Sequence, residues 1–380
     1  MVATPDTGQP GRRSLAERFY RWRTGLIADA SFQAWAVRFP LTRPFVRREA
    51  GALYDVVAGF VYAQILFALV ELDVLAALRD RPATARALAH RCGLGEGAMT
   101  RLCQGAAAIG LLRRRGDRYG LTLRGASVLG APGVVEMVRH HRMFYADLAD
   151  PVALLRGERE TALSRYWSYV GGANTHGMTD EEAAPYSALM AVSQRMVAEE
   201  TLAAFPLDRF ARHLDVGGGE GAFLEAALAA HPHLRGTLFD LPAVVARAPA
   251  RFEAADVADR VTCTGGSFLD DPLPAGADLI SLVRVCYDHD DDVVRALLAK
   301  VYRTLPQGGT LLISEPMSGG ARPTRAGDAY FGLYTAAMST GKPRSAEDHR
   351  GLLKEAGFAD FTIHRTRQSF VTQVVSARKP

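Results

Sequence analysis

The sequence predicts an α/β fold for its C-terminal half, behind a mostly α-helical N-terminal half. Three observations carry this. From residue 211, short apolar runs alternate with helical stretches. The Gly-rich turn "DVGGGEGAF" follows the first run, and an acid, Asp240, closes the second. Such alternation means a mostly parallel sheet wrapped by helices.

Seven strands are expected, at "RHLDV", "GTLFD", "RVTCTG", "ADLISLV", "GGTLLISEP", 361–365 and 369–377. Helices are expected at 222–230, 243–248, 291–305 and 346–356. Ahead of them, 131–205 reads as mostly helical, rich in aromatic residues and Met. Met143, Trp167, Met190 and Met196, joined by Met317 and Tyr334, are expected to line a large apolar substrate pocket.

Residues 82–130 give helix (85–92, with Thr84 as N-cap), turn, helix (98–109) and two short strands around Gly116-Asp117, a winged-helix pattern. Its second helix has only one Arg (Arg101) and is otherwise mostly apolar, which does not suit base reading in a major groove, so no nucleic-acid partner is expected. The apolar run Val56–Val70 has fifteen uncharged residues, short of the ~20 a bilayer span needs, and reads as a buried core helix. The expected domains are an arm at 1–50, a winged-helix domain at 51–130, a helical pocket segment at 131–205 and a cofactor-binding domain at 206–380.

The composition, 48% apolar and 23% charged over 380 residues, excludes a chain disordered as a whole. Its charge is uneven. The first 50 residues hold nine Arg against four acids, a net +5, and the remainder carries −1 of the total +4. Residues 1–12 are expected to be disordered. From 13 to 50, Arg alternates with aromatic residues, as in a surface anchor for an anionic membrane or an arm packed on a partner subunit. The four cysteines (92, 103, 263, 286) have no metal-binding spacing and read as reduced thiols. The N-terminus lacks the apolar core of a secretory signal. A cytoplasmic protein, peripheral at most to the inner membrane, is expected, with no metal site.

The Gly-rich turn is G-x-G-x-G, with Gly217, Gly219 and Gly221, not the dinucleotide G-x-G-x-x-G. Glycine there lets a ligand approach the backbone, and Asp240 closing the next strand can accept from both ribose hydroxyls. A nucleoside without pyrophosphate fits, with S-adenosylmethionine as the candidate cofactor.

The motifs "LDVGGGEG", "FDLPAVV", "GSFLDDPLP", "LVRVCYDHDDD" and "LPQGGTLLISEP" resemble those of the plant and bacterial small-molecule O-methyltransferases that use S-adenosylmethionine. The resemblance extends over nearly the whole chain. It implies a Rossmann-like methyltransferase domain with a mixed seven-stranded sheet, and a winged-helix domain used for homodimerisation. By motif it places Gly217 and Gly219 at the methionine part, Asp240 and Leu241 at the ribose, Ser267 and Phe268 at the adenine, and Arg284 near the carboxylate end. Ser267 stands where the family usually has Asp. The stretches "RFPLTRPFVRREAGALYDVVAGFVYAQ" and "VEMVRHHRMFYADLADPVALLRGE" resemble a narrower group, the purple-bacterial demethylspheroidene (hydroxyneurosporene) O-methyltransferases. That group methylates the C-1 tertiary hydroxyl of acyclic hydroxycarotenoids in photosynthetic pigment synthesis.

Phenol-methylating members of the family have His-Asp-Trp after the fourth strand, with His as base. The aligned residues here are Tyr287-Asp288-His289. An imidazole can ionise a phenol, but an aliphatic alcohol is far too weak an acid, so its proton must leave as the methyl arrives. Tyr287 is expected to orient the hydroxyl and relay that proton, with His289 or Glu315 as its neighbour. Glu315 matches a supporting acid of the family, and a second such position falls on Pro343. The alternatives are another lipophilic substrate, such as a bacteriochlorophyll precursor, or a hydroxylase or decarboxylase of the same fold.

Overall fold

The computed structural model describes residues 14–131, 133–166 and 193–380. The expected disorder of 1–12 and the pocket positions Trp167 and Met190 lie outside these residues. The chain divides into two compact units, Met1–Gly120 and Leu121–Pro380.

The first unit opens with helices α1 (Leu15–Ala28), α2 (Ala30–Arg38) and α3 (Arg43–Glu71), then a short α4 (Val74–Ala77). Ser14 and Glu17 form a reciprocal capping box at the start of α1, and Pro44 begins α3, where its missing N–H costs nothing. Helix α3 continues through residue 50, where the arm was expected to end. The winged-helix pattern is present: β1 (Ala83–Thr84), α5 (Ala85–Cys92), α6 (Glu96–Ala108), β2 (Leu112–Arg115) and β3 (Arg118–Leu121), with sheet order β1-β3-β2. Thr84 caps α5 through the Ala87 N–H at 3.2 Å.

The expectation of a buried core helix over 56–70 is corrected. In α3 only Leu69 and Val70 are buried, and Val56, Val57 and Phe60 are 65–78% exposed. Apolar composition does not by itself mean burial, and among the described residues this face has no cover from its own unit.

The second unit begins with α7 (Leu123–Gly130), α8 (Val134–Asp147), α9 (Pro151–Leu155), α10 (Ala162–Tyr166) and α11 (193–204). A seven-stranded sheet follows: β4 (Arg212–Val216), β5 (Arg235–Asp240), β6 (Val261–Gly265), β7 (Leu279–Val283), β8 (Thr310–Glu315), β9 (Ala359–His364) and β10 (Gln373–Arg378). Its order is β6-β5-β4-β7-β8-β10-β9. The first five strands run parallel, and β10 lies antiparallel between β8 and β9. The mixed sheet expected from the sequence is thus present. The central strands are largely buried on both faces, β8 at every residue, and this explains consecutive apolar residues such as Leu311, Leu312 and Ile313.

Helices α12 (Ala222–Ala230), α15 (Asp291–Thr304) and α17 (Ala346–Glu355) match their expected ranges closely. The helix expected at 243–248 is instead two, α13 (Pro242–Val245) and α14 (Ala248–Ala254). Pro249 in the first turn of α14 lacks the N–H a continuous helix needs. A π-helical segment, Arg325–Phe331, leads into α16 (Gly332–Met338).

Candidate active site

The chain turns at the C-terminal ends of the parallel strands, where open α/β sheets bind their ligands. Strand β4 stays paired with β5 up to the Gly217 N–H, which donates to Phe239 O at 2.8 Å, and the Gly-rich loop between β4 and α12 begins there. Gly217 and Gly219 have φ of +66° and +61°, a region that side chains disfavour. A Cβ on Gly217 would meet Val285 Cγ2 at 2.8 Å. Asp240, at the tip of β5, accepts the N–H of Gly219 at 2.7 Å with Oδ2 and that of Leu241 at 2.7 Å with Oδ1. Burial raises its carboxyl pKa, and those two N–H donors oppose the shift. Each oxygen retains lone-pair capacity for a further donor.

Beneath the loop, His213, Ser281 and Asp215 form a buried chain, each link 2.6 Å long. Asp215 Oδ2 is buried without a partner, and burial pushes this carboxyl up to about 7. A Cβ at Gly218 would approach that oxygen to 2.4 Å, so the loop backbone rests directly on the acid. Gln194 of α11 approaches from the other side, with Nε2 3.5 Å from a Cβ at Gly219. A cradle that a Cβ on Gly217 or Gly218 would fill and a ribose-type acceptor fit S-adenosylmethionine. Gly217, Gly219, Asp240 and Leu241 are the residues that would hold it.

The third strand leads to a tight turn at 267–271. Ser267 Oγ accepts the Leu269 N–H at 3.2 Å, so the side chain that replaces the family's Asp is engaged in its own turn. Lys300 pins the turn through the carbonyls of Phe268, Leu269 and Asp271. The Phe268 ring meets His289 edge-on at 5.3 Å.

After β7 the chain makes a second turn, which carries Arg284, Tyr287, Asp288 and His289. Arg284 has φ +59° and donates its N–H to Ser314 O at 2.8 Å. Its guanidinium reaches Ser193 Oγ at 2.9 Å and Tyr287 Oη at 3.2 Å. Tyr287 is 1% exposed, and burial raises its phenol well above the usual range even against the nearby Arg284 charge. Burial likewise pushes Asp288 up to about 8, and its Oδ1 has no hydrogen-bond partner.

Glu315, ending β8, accepts the backbone N–H of Tyr287 at 3.1 Å and contacts His349 Nε2 at 3.0 Å. Its carboxylate therefore holds the turn's main chain, not the phenol. His289 lies over Phe268, with its imidazole pKa lowered chiefly by burial. Arg344 is 1% exposed and clamps the turn from outside, donating to Cys286 O at 2.6 Å, His289 O at 2.9 Å and Asp291 Oδ1 at 2.9 Å.

Beyond Tyr287 lies an aromatic cluster. The ring of Phe331 packs edge-on to Tyr287 at 6.2 Å, and Tyr330 and Tyr334 stack at 5.9 Å. Helix α8 supplies His140 and His141, which bond Tyr334 Oη and Tyr330 Oη, each at 2.8 Å. Met143 packs against this cluster and Tyr334 is part of it. Met196 is half-buried on α11. Met317 is 1% exposed in the sheet's own core. No group of three or more His, Cys, Asp or Glu with metal-holding geometry occurs among the described residues.

Sequence reasoning missed Ser193, Gln194, Lys300, Arg344 and His349. The first two belong to a helix remote in sequence from the loop it faces. Arg344 carried one signal, its place beside Pro343, where a supporting acid was sought.

This sheet order, Gly-rich loop and acid define a nucleoside-binding methyltransferase. Residues 145–359 match the sequence model of the O-methyltransferase domain, and 54–129 match that of the O-methyltransferase dimerisation domain. The chain is 49% identical to the demethylspheroidene O-methyltransferase of Cereibacter sphaeroides, over 93% of this chain and 94% of that one. It is 44% identical to the enzyme of the same name from Rhodobacter capsulatus, over 98% and 93%. Among solved structures, it is similar to the calicheamicin-biosynthesis methyltransferase CalO1 in its SAH-bound form (TM-score 0.75, 26% identity, 88% of this chain and 98% of that one). It is also similar to human N-acetylserotonin methyltransferase in complex with SAM (TM-score 0.71, 25% identity, 87% and 97%). The chain belongs to the S-adenosylmethionine-dependent O-methyltransferase family. It is an O-methyltransferase whose cofactor is S-adenosylmethionine, and its dimerisation domain supports a homodimer.

Proposed function

We propose that this enzyme acts in carotenoid biosynthesis and methylates the C-1 tertiary hydroxyl of an acyclic hydroxycarotenoid. The names of the two relatives above support the pathway. The observation that carries the chemistry is Tyr287, a buried and protonated phenol where phenol-methylating relatives place an imidazole.

S-adenosylmethionine, when bound, supplies a methyl group on a positively charged sulfur. The protein's part begins with position. Arg284 donates to one lone pair of Tyr287 Oη, which leaves the other to accept the substrate hydroxyl's hydrogen while the phenolic hydrogen lies toward the Asp288 carboxylate. As the new C–O bond forms, that oxygen becomes positive and its proton turns strongly acidic. No base is then required to ionise the alcohol beforehand. The proton passes to Tyr287 Oη as the phenol's own proton moves on to the Asp288 carboxylate. An acid poised near neutrality suits that acceptor role. The aromatic cluster excludes water and holds the apolar chain, so most of the rate comes from alignment.

The test supplies methyl-labelled S-adenosylmethionine with 1-hydroxy acyclic carotenoids in detergent, and a catechol as control. Label in the carotenoid's methyl ether alone is expected. Label in the catechol alone, or at a carbon atom, would overturn the reading.

A further inference from the structure

The N-terminal helices carry an apolar surface that their own unit leaves uncovered. In α1, Leu15, Phe19, Trp22 and Leu26 recur at i, i+4, i+7 and i+11, which places them on one face. None of the helix's residues is buried, and Phe19 and Trp22 are 58% and 62% exposed. Their rings lie 5.8 Å apart. On the 3.6-residue period, Arg18 and Arg23 flank this stripe on either side. Helix α2 repeats the arrangement. Phe32, Trp35 and the capping Phe39 form a ladder with ring spacings of 5.6 and 4.9 Å.

Charge identifies the occupant. Residues 14–50 hold seven Arg against three acids and no Lys, in a chain whose 330 residues beyond them carry only −1. Arginine flanking a Trp/Phe stripe matches a boundary between apolar tails and phosphate headgroups, because the stem extends along the apolar side while the guanidinium pairs with phosphate. The competing cover is a second copy of the chain. The matched dimerisation domain starts at residue 54, beyond α1 and α2, so it leaves this surface unassigned.

We infer that α1 and α2 form a docking surface for an anionic lipid bilayer, lying in its headgroup region rather than crossing it. The inference does not depend on the substrate proposed above.

The test uses the full chain and sedimentation with vesicles of phosphatidylcholine, with and without phosphatidylglycerol. Light scattering reports oligomeric state in parallel. The protein is expected to pellet with the anionic vesicles at low salt and to be released by high salt. Phe19→Ser with Trp22→Ser, and separately Arg18→Glu with Arg23→Glu, are expected to lower partitioning roughly tenfold or more. Both double variants should keep the wild-type oligomeric state and full activity on detergent-solubilised substrate. Absence of pelleting with anionic vesicles, or equal pelleting by wild type and both variants, would overturn the inference. Loss of the dimer in either variant would also overturn it, by assigning the surface to a second copy.

Discussion

Glu315 Oε2 holds the backbone N–H of Tyr287 at 3.1 Å, and its other oxygen meets His349 at 3.0 Å, with both acid and imidazole fully buried. The acid fixes where the phenol stands and leaves the phenol's own chemistry to its neighbours. Glu315→Ala strands a buried N–H and a buried imidazole, which should cost on the order of 3 kcal/mol of stability. Glu315→Gln keeps an acceptor for the N–H and should restore most of it. Urea unfolding of both variants measures the difference, and equal losses would show that the charge, not the acceptor, matters.

Tyr287→Phe should lower turnover by about tenfold or more. The ring still fills its place against Phe331, so the fold and the affinity for S-adenosylmethionine should hold. Single-turnover label transfer alongside calorimetric binding separates these effects. Unchanged turnover would remove the phenol from the reaction.

Asp240→Ala removes the acceptor of two loop N–H groups as well as the ribose contact. Cofactor binding should fall below detection by calorimetry. Far-UV circular dichroism should stay unchanged, because the residue lies at a strand tip. Retained binding would contradict its assignment.

Arg344→Met leaves the carbonyls of Cys286 and His289 without their donor. A loss of about 1–3 kcal/mol is expected for each carbonyl left unpaired, while Asp291 keeps Lys342 at 2.7 Å. Arg344→Lys should recover little of it, since one ammonium cannot reproduce the planar fork that spans both carbonyls and Asp291. Thermal unfolding of the pair tests this.

His140 gives a pH dependence with a defined sign. Burial, helped by His141 and Arg284, lowers its pKa from 6.5 to about 4. A depressed folded-state value means that the unfolded chain takes up the proton first as pH falls. His140 therefore contributes stability above pH 6.5 that is lost on acidification toward 4, with a total on the order of 2–3 kcal/mol. Denaturant unfolding between those limits should show a shallower pH slope for His140→Gln than for wild type. Parallel slopes would refute the assignment.

Much of the fold was legible because the strands announce themselves. Strand β8 carries Leu311, Leu312 and Ile313 in succession and β7 carries Leu279 and Ile280, since strands covered on both faces need not alternate apolar with polar positions. Thr84 was legible as a cap for the same local reason. Helix α3 was misjudged because an apolar helix looks alike in sequence whether its own chain or another body covers it. Within the site, the glycines, Asp240 and Tyr287 lie on local motifs. Arg344 and His349 act across more than 30 residues of chain, and no local pattern marks such partnerships.

Strand β10 pairs Gln373 with Glu315 and continues along β8 to Thr310. The strand that bears the supporting acid thus gains one of its two neighbours only when residues 373–378 arrive. A nascent chain that has emerged as far as β9 already carries Arg284, Tyr287, Asp288 and Glu315, yet lacks the strand that pairs beside Glu315. Activity should therefore appear only after residues 373–378 have emerged and paired with β8.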